Sequence, residues 1–393
     1  MPLLLVLACS CFVSSLAIRM VDPMVPAIAA DLATAEANVS LLASAYAVPY
    51  ALVQLLLGPL GDRVGKARII VACLVVLTLA TATAAVAPSL EILFAARVLG
   101  GLAGGGIIPL AIALVGDRVP FAGRQTALSK IMTALVGAVL VGTAGTGFLA
   151  TLVGWRGVFA AAAVLSAIVS CIAIAALRDK PAAGPAAGDR GATTRRTGNL
   201  LQGYARTFAH PLAYVCFGAV LVEGVLVLGL LPYVATLLGA RGAGGVAQAG
   251  IVLAGLAIGG LVYTQSAARL IAHLGGVVNL IRCGAVCVTL GFFGIALQAS
   301  WQVEMAAFML LGFGFYSIHN SLQTQATELA PDNRGAAVAL FAFFFFVGQS
   351  AGPLFYAVAL HVVSPAPLLA AIGIIAGALA LLLAAALKPS HGG

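Results

Sequence analysis

Four ionisable residues lie where a charge is expensive. Arg19, Asp22, Arg97 and Glu223 each fall inside a long apolar stretch of this 393-residue chain. If those stretches cross a bilayer, a charge near the centre costs about 2.5–3.5 kcal/mol on insertion scales, so each needs a partner or a task. Arg19 and Asp22 are three positions apart and share one helix face. Glu223 sits near the middle of its stretch, and an internal repeat (below) puts it opposite residue 17, close to Arg19 in depth. The expectation is a central cluster of two carboxylates and one arginine. One arginine neutralises one carboxylate. The second is left buried beside a like charge, a setting in which a carboxyl exchanges its proton near neutral pH. The alternative is a static Arg19–Asp22 pair beside a permanently protonated Glu223. Arg97 is either a further electrostatic partner or an arginine bonded to backbone carbonyls.

A second set of residues has the spacing of a binding wall. Tyr316, His319, Asn320, Gln323 and Thr327 follow i, i+3, i+4, i+7 and i+11, one polar stripe on an otherwise apolar helix. Tyr46, Tyr50 and Gln54 repeat every four residues, as do Phe341, Phe345 and Gln349. Polar groups on a membrane helix face a cavity or another helix. Aromatic rings with a few placed polar groups suit amphiphilic organic molecules. The expected substrate contacts are Tyr46, Tyr50, Tyr316, His319, Asn320, Gln323, Phe345 and Gln349. Interhelical hydrogen bonding is the competing explanation, and for His319 alone a satisfied interior histidine competes closely.

The elements that position these residues are membrane spans. Apolar residues make up 62% of the chain and charged residues 8%, against about 25% charged in ordinary soluble domains. A span needs about 20 apolar residues. Twelve such stretches are present, over roughly 3–29, 40–60, 69–87, 92–116, 127–150, 157–177, 210–238, 247–268, 278–298, 303–327, 335–360 and 367–387. The first lacks a basic leading region and runs past Pro26, so it reads as a span rather than a signal peptide. Sixteen of the 20 Lys and Arg, from Arg63 to Lys388, fall in gaps or tail on one side, and only Arg156 and Arg241 on the other. This positive-inside bias puts both termini in the cytoplasm. It also accounts for the net charge of +8 without a nucleic-acid partner.

The polar stretch 178–207, rich in Pro, Gly, Thr and charge, reads as a cytoplasmic linker between a six-helix bundle over 1–177 and another over 208–393. The halves repeat. Pro26 is matched by Pro232, Pro120 and Arg124 by Pro331 and Arg334, and Gly142 by Gly352, at offsets of 206 to 211. The fold expected is all-α, with twelve transmembrane helices in two pseudo-symmetric bundles. In transporters built from repeats the substrate site lies between them near the midplane.

The gap after the second span reads Gly58-Pro59-Leu60-Gly61-Asp62-Arg63-Val64-Gly65-Lys66-Ala67-Arg68. It resembles the signature loop of the major facilitator superfamily, with Ala67 replacing one basic residue. Arg97 followed by Gly100-Gly101 and Gly104-Gly105-Gly106 is similar to that family's span-four pattern. Pro23-Met24-Val25-Pro26 resembles a span-one element of its drug:proton antiporters. The family's span-five motif carries Gly-Pro, but this chain reads Gly142-Thr143-Ala144-Gly145-Thr146-Gly147, and its Gly-Pro is in span eleven at Gly352-Pro353. The Gly154-Trp155-Arg156 ending, with Phe159, is intact.

The resemblance implies a conformational latch made by Gly58, Asp62, Arg63, Gly65 and Lys66. It implies alternating access, a bacterial inner-membrane location and a monomer. It implies export of a small organic compound driven by the proton gradient, with Asp22 and Glu223 carrying protons and Arg19 and Arg97 as their electrostatic partners. Proton-coupled uptake of a metabolite and a lipid-handling role are the alternatives. No phosphate loop, metal-spaced cluster or nucleophile triad is present in the sequence, so neither an enzyme nor a metal or organic cofactor is expected. The seven cysteines all fall inside spans and read as small apolar packing residues.

Overall fold

A computed structural model describes residues 2–177, 200–329 and 334–387. Among these, every regular element is helical. Ten described stretches are long and apolar enough to cross a membrane. One of them, Thr126–Leu177, is 52 residues long and contains two crossings, and the helix Trp301–Glu328 adds another. That helix is less apolar because it carries the polar stripe. The chain is therefore an integral membrane protein of twelve spans. Large side chains such as Leu79, Val164 and Leu382 stand exposed on its outer surface, where lipid replaces water.

Spans one and seven share an interrupted design. Span one runs Pro2–Arg19, tightens into a 3-10 turn at Asp22–Met24 and resumes as Val25–Asp31. Span seven runs Pro211–Leu226, tightens at Leu228–Tyr233 and resumes as Val234–Ala240. The prolines at 23, 26 and 232 remove N–H donors and break the α ladder at these points.

Span two is Glu36–Leu60, span three Lys66–Ala85 and span four Leu90–Arg118. Span five begins at Phe121, passes through a π turn at Val141–Gly145 and ends at Gly154, whose φ of 69° turns the chain into span six. Inside the π turn, Thr143 Oγ1 donates to the carbonyl of Val139 (2.8 Å), and Thr146 Oγ1 to that of Gly142 (2.6 Å). Both are back-bonds to the carbonyl four residues earlier, of the kind that bends helices. Span five thus gains its irregularity without the proline of the family motif. Spans eight to twelve are Val246–Leu274, Val277–Ala296, Trp301–Glu328, Arg334–Val362 and Pro365–Ala386.

Each half buries its own hydrophobic core, one from Val6 to Leu177 and one from Ala213 to Ala384. The repeat is visible in how the spans meet. A Cβ on Gly142 of span five would press on the Leu16 carbonyl of span one (3.2 Å), and one on Gly352 of span eleven on the Val225 carbonyl of span seven (2.8 Å).

Residues 178–199 of the expected linker lie outside the described residues, and its last part, 200–207, is helical. Leu200–Phe208 is a helix. Leu200, Tyr204 and Phe208 fall at i, i+4 and i+8 on it. Phe208 packs against Phe217 and Phe344, and the Tyr204 hydroxyl donates to the Leu55 carbonyl of span two (3.2 Å).

The halves meet most closely toward the face opposite the basic loops. There Glu36 accepts a hydrogen bond from Thr236, and Ser44 Oγ donates to the Ser350 carbonyl (2.6 Å). Spans five and eight touch backbone to backbone, since a Cβ on Gly250 would lie 2.6 Å from the Thr143 carbonyl.

Candidate functional site

Span four places Arg97 in the N-terminal bundle, 3% exposed. Gly100, Gly101, Gly104 and Gly105 let span two approach without a Cβ between them: one on Gly100 would meet the Tyr46 ring at 3.2 Å, and one on Gly105 the Tyr50 carbonyl at 2.7 Å. The Tyr46 ring then lies under the Arg97 guanidinium, 4.1 Å from its carbon to the ring centroid, a cation–π stack. Arg97 Nη1 donates to the Ala17 carbonyl (2.8 Å) and Nε to that of Leu42 (3.5 Å), so one side chain ties span four to spans one and two. The arginine is bonded to backbone carbonyls, as one of the two sequence readings has it. Tyr46, expected in the substrate wall, is buried in this arrangement at 1% exposure, and its hydroxyl has no hydrogen-bond partner.

Asp22 sits in the 3-10 turn of span one, 1% exposed, with Oδ2 3.7 Å from Arg19 Nη1. Arg19 also reaches across the halves, Nη2 donating to Gln349 Oε1 at 3.4 Å. Glu223 does not join this pair. Its Oε2 lies 2.9 Å from His319 Nδ1, and His319 is ringed by Phe315, Phe341 and Phe345 at centroid distances of 5.3, 5.1 and 4.6 Å. In place of one cluster of two acids and one arginine there are two paired carboxylates, one in each half. The reason is helix phase. His319 faces span seven, while Arg19 faces Asp22 and span eleven.

The polar stripe of span ten opens toward the basic face. Tyr316, His319 and Asn320 are partly buried, whereas Gln323 is exposed. Tyr50 packs on Phe346 of span eleven at 4.2 Å between centroids. Most of the expected wall is therefore engaged across or within the halves in this conformation: Arg19 with Gln349, His319 with Phe345, Tyr50 with the neighbour of Phe345.

On the basic face a π turn at Gly61–Gly65 links spans two and three, and Gly65 has a φ of 98° that suits glycine alone. Lys66 Nζ pairs with Asp117 Oδ2 at the end of span four, 2.6 Å apart. Sequence reasoning did not name Asp117. The side chains of Asp62 and Arg63 lie outside the described residues, and Gly58 falls in the last turn of span two. At the opposite face Asp31 accepts hydrogen bonds from Arg156 and Trp155, bracing span one against span six, and Arg241 pairs with Glu304 at the start of span ten. Among the described residues no group of three or more His, Cys, Asp or Glu could hold a metal ion.

The family model described as Major Facilitator Superfamily matches residues 7–353. The chain belongs to the Major Facilitator Superfamily. It is a transporter rather than an enzyme. Among curated relatives, multidrug resistance protein 1 of Bacillus subtilis is 22% identical over 351 residues, 89% of this chain and 88% of that protein. The uncharacterized MFS-type transporter YwfA of the same organism is 31% identical over 160 residues, and that match spans 40% of this chain and only 39% of YwfA. Quinolone resistance protein NorA of Staphylococcus aureus is 29% identical over 28% of each chain. Among solved structures, a D-xylose-proton symporter superposes with a TM-score of 0.77 at 14% identity, covering 99% of this chain and 97% of that one. A bacterial homolog of the human lysosomal transporter Spinster superposes at 0.73 and 17% identity, covering 98% and 95%. At these identities the structural likeness fixes the fold alone.

Proposed function

We propose that this transporter exports small amphiphilic organic compounds from a bacterial cytoplasm in exchange for protons. It would work as a monomer of the inner membrane with both termini inside. The observation that carries the reading is the pair of buried carboxylates, one per half. Neither sits in a closed hydrogen-bonded network, although Arg97 acts on Asp22 as a second nearby cation. Asp22 has Arg19 at 3.7 Å, and Glu223 has His319 at 2.9 Å. A carboxyl whose partners can be exchanged can gain and lose a proton as the halves move. A fully satisfied ion pair is fixed. In the Glu223–His319 bond the ring Nδ1–H or a protonated carboxyl can be the donor, so the proton can lie on either side. The name of the full-length multidrug relative supports export, and the aromatic groups of spans two, ten and eleven suit amphiphiles.

One observation favours a second reading. Arg19 is 14% exposed and bonded only loosely to Gln349 and Asp22, which leaves its charge open to an anion. Uptake of an anionic metabolite together with protons would use that charge. Proteoliposomes with an imposed pH gradient separate the two. Antiport loads a cationic or neutral amphiphile toward the proton-rich side, while symport loads an anion toward the proton-poor side. Uptake that ignores the gradient in both settings would overturn proton coupling.

A further inference from the structure

Lys130 is a cation set one turn inside the apolar run that begins at Thr126. It is exposed and makes no hydrogen bond or ion pair among the described residues. Helix phase tells what it faces. Along Phe121–Leu140, Ala127, Ile131 and Ala138 are buried and form the face turned to the rest of the N-terminal half. One flank of that face carries Leu128, Met132 and Val139, all apolar, and is the lipid side. The other flank carries Thr126, Lys130, Thr133 and Gly137 at i, i+4, i+7 and i+11, and the first three are exposed. Polar side chains at membrane depth line water rather than lipid.

Two contacts put this second flank beside the space between the halves. A Cβ on Gly137 would lie 3.8 Å from the Phe12 ring of span one. Phe12 shares a helix face with Arg19, seven residues on, and Arg19 reaches Gln349 of the other half. A Cβ on Gly142 would lie 3.4 Å from that of Arg19. Lys130 comes twelve residues before Gly142, so it stands about 18 Å from Arg19 toward the basic face. Asp22 and Glu223 are buried and partnered, so the exposed charge along this path is positive.

We infer that Lys130 is an anion-recognition residue on the cytoplasmic approach to Arg19, and that the substrate carries an acid group, a carboxylate, sulfonate or phosphate. A lysine is a compact charge on a flexible stem, suited to capture, and the planar fork of an arginine suits a more directional hold. A lysine that only anchored its helix at the membrane surface would reach out from the lipid flank, and Lys130 is on the other one. The inference rests on the reading that an organic substrate occupies the space between the halves. It holds for export and for uptake alike.

Thiol labelling in inside-out vesicles tests this. Cysteine is introduced as Thr133→Cys, on the flank of Lys130, or as Met132→Cys, on the apolar flank. The vesicles are treated with anionic sulfonatoethyl methanethiosulfonate or its cationic trimethylammonioethyl counterpart, and mass spectrometry reads the peptide concerned, so the native cysteines stay in place. Thr133→Cys should react at least about ten-fold faster than Met132→Cys. Its preference for the sulfonate should fall about three-fold or more with Lys130→Gln, as expected for a unit charge one turn away in water, and should survive Lys130→Arg. Naphthylacetate should slow labelling of Thr133→Cys by neutral N-ethylmaleimide more than naphthylmethylammonium does, and Lys130→Gln should erase the difference. Equal reaction at the two positions, or a preference indifferent to Lys130→Gln, overturns the recognition role. No difference between the two naphthyl compounds overturns the acid group on the substrate. None of these readouts uses a proton gradient, so their failure leaves proton coupling standing, and a failure of proton coupling leaves the anion path standing.

Discussion

His319 Nδ1 lies 2.9 Å from Glu223 Oε2 and joins span ten to span seven inside the C-terminal bundle. The bond gives the buried acid its one side-chain hydrogen bond among the described residues and puts an imidazole between it and the aromatic residues of span eleven. A hydrogen bond to a charged group contributes about 1.5–3 kcal/mol. His319→Ala should therefore lower the unfolding free energy in detergent by about that amount. The double variant with Glu223→Gln should lose much less than the sum of the single variants, as coupled neighbours do. Thermal unfolding of the four proteins measures the coupling, and strict additivity would mean that the bond is not made.

Tyr46 and Arg97 give a sharper contrast. The ring carries the cation–π contact and the hydroxyl carries nothing. Tyr46→Phe should leave stability unchanged or raise it by up to about 1 kcal/mol, since it removes an unsatisfied buried hydroxyl. Tyr46→Leu should cost about 2 kcal/mol through the lost stack. Arg97→Lys keeps charge but not the planar fork, and should behave like Tyr46→Leu. Equal losses in Tyr46→Phe and Tyr46→Leu would place a partner on the hydroxyl.

The fold could be read from the chain because lipid imposes length and polarity on every span. The apolar runs marked the crossings, and Pro23, Pro26 and Pro232 marked the breaks in spans one and seven. The glycines after Arg97 marked a close helix approach. Which side chain meets which was not legible, because apolar spans carry little information about their rotation. Glu223 was recognisable as a buried acid and His319 as a member of a polar stripe. That they face each other depends on the phase of spans seven and ten. Tyr46 looked like a wall residue by its spacing with Tyr50, although the Arg97–glycine sequence already held the signal that a ring would be pressed there. The helix Leu200–Phe208 was hidden by its brevity and by the Pro- and Gly-rich sequence before it.

Spans five and eight seal the face away from the basic loops by direct backbone contact at Gly147 and Gly250. Gly250→Leu should force the halves apart there and hold that face open. Spin labels on cysteines introduced at Ser89 and Ser300, in a background without the native cysteines, should report a longer separation on that face than with Gly250 intact. Transport should be lost with expression retained. An unchanged distance distribution would show that the contact does not govern closure.

At the basic face, Lys66 and Asp117 pair where water reaches both, at 20% and 52% exposure. Such a pair contributes about 0.2–1 kcal/mol, so Asp117→Asn should hardly move stability. Its effect should appear in turnover, because the pair links spans three and four beside the signature loop. The charge exchange Lys66→Asp with Asp117→Lys should restore part of the rate lost in either single variant. No recovery would assign the two residues independent roles.

In the proposed mechanism two buried carboxylates couple substrate movement to protons. Inside-out vesicles energised to a pH gradient and followed with a pH-sensitive dye test it directly, using cationic, neutral and anionic amphiphiles in turn. One class should dissipate the gradient through the wild-type protein, and Asp22→Asn and Glu223→Gln should abolish this while reaching the membrane in normal amounts. Dissipation of wild-type size in both variants would contradict it.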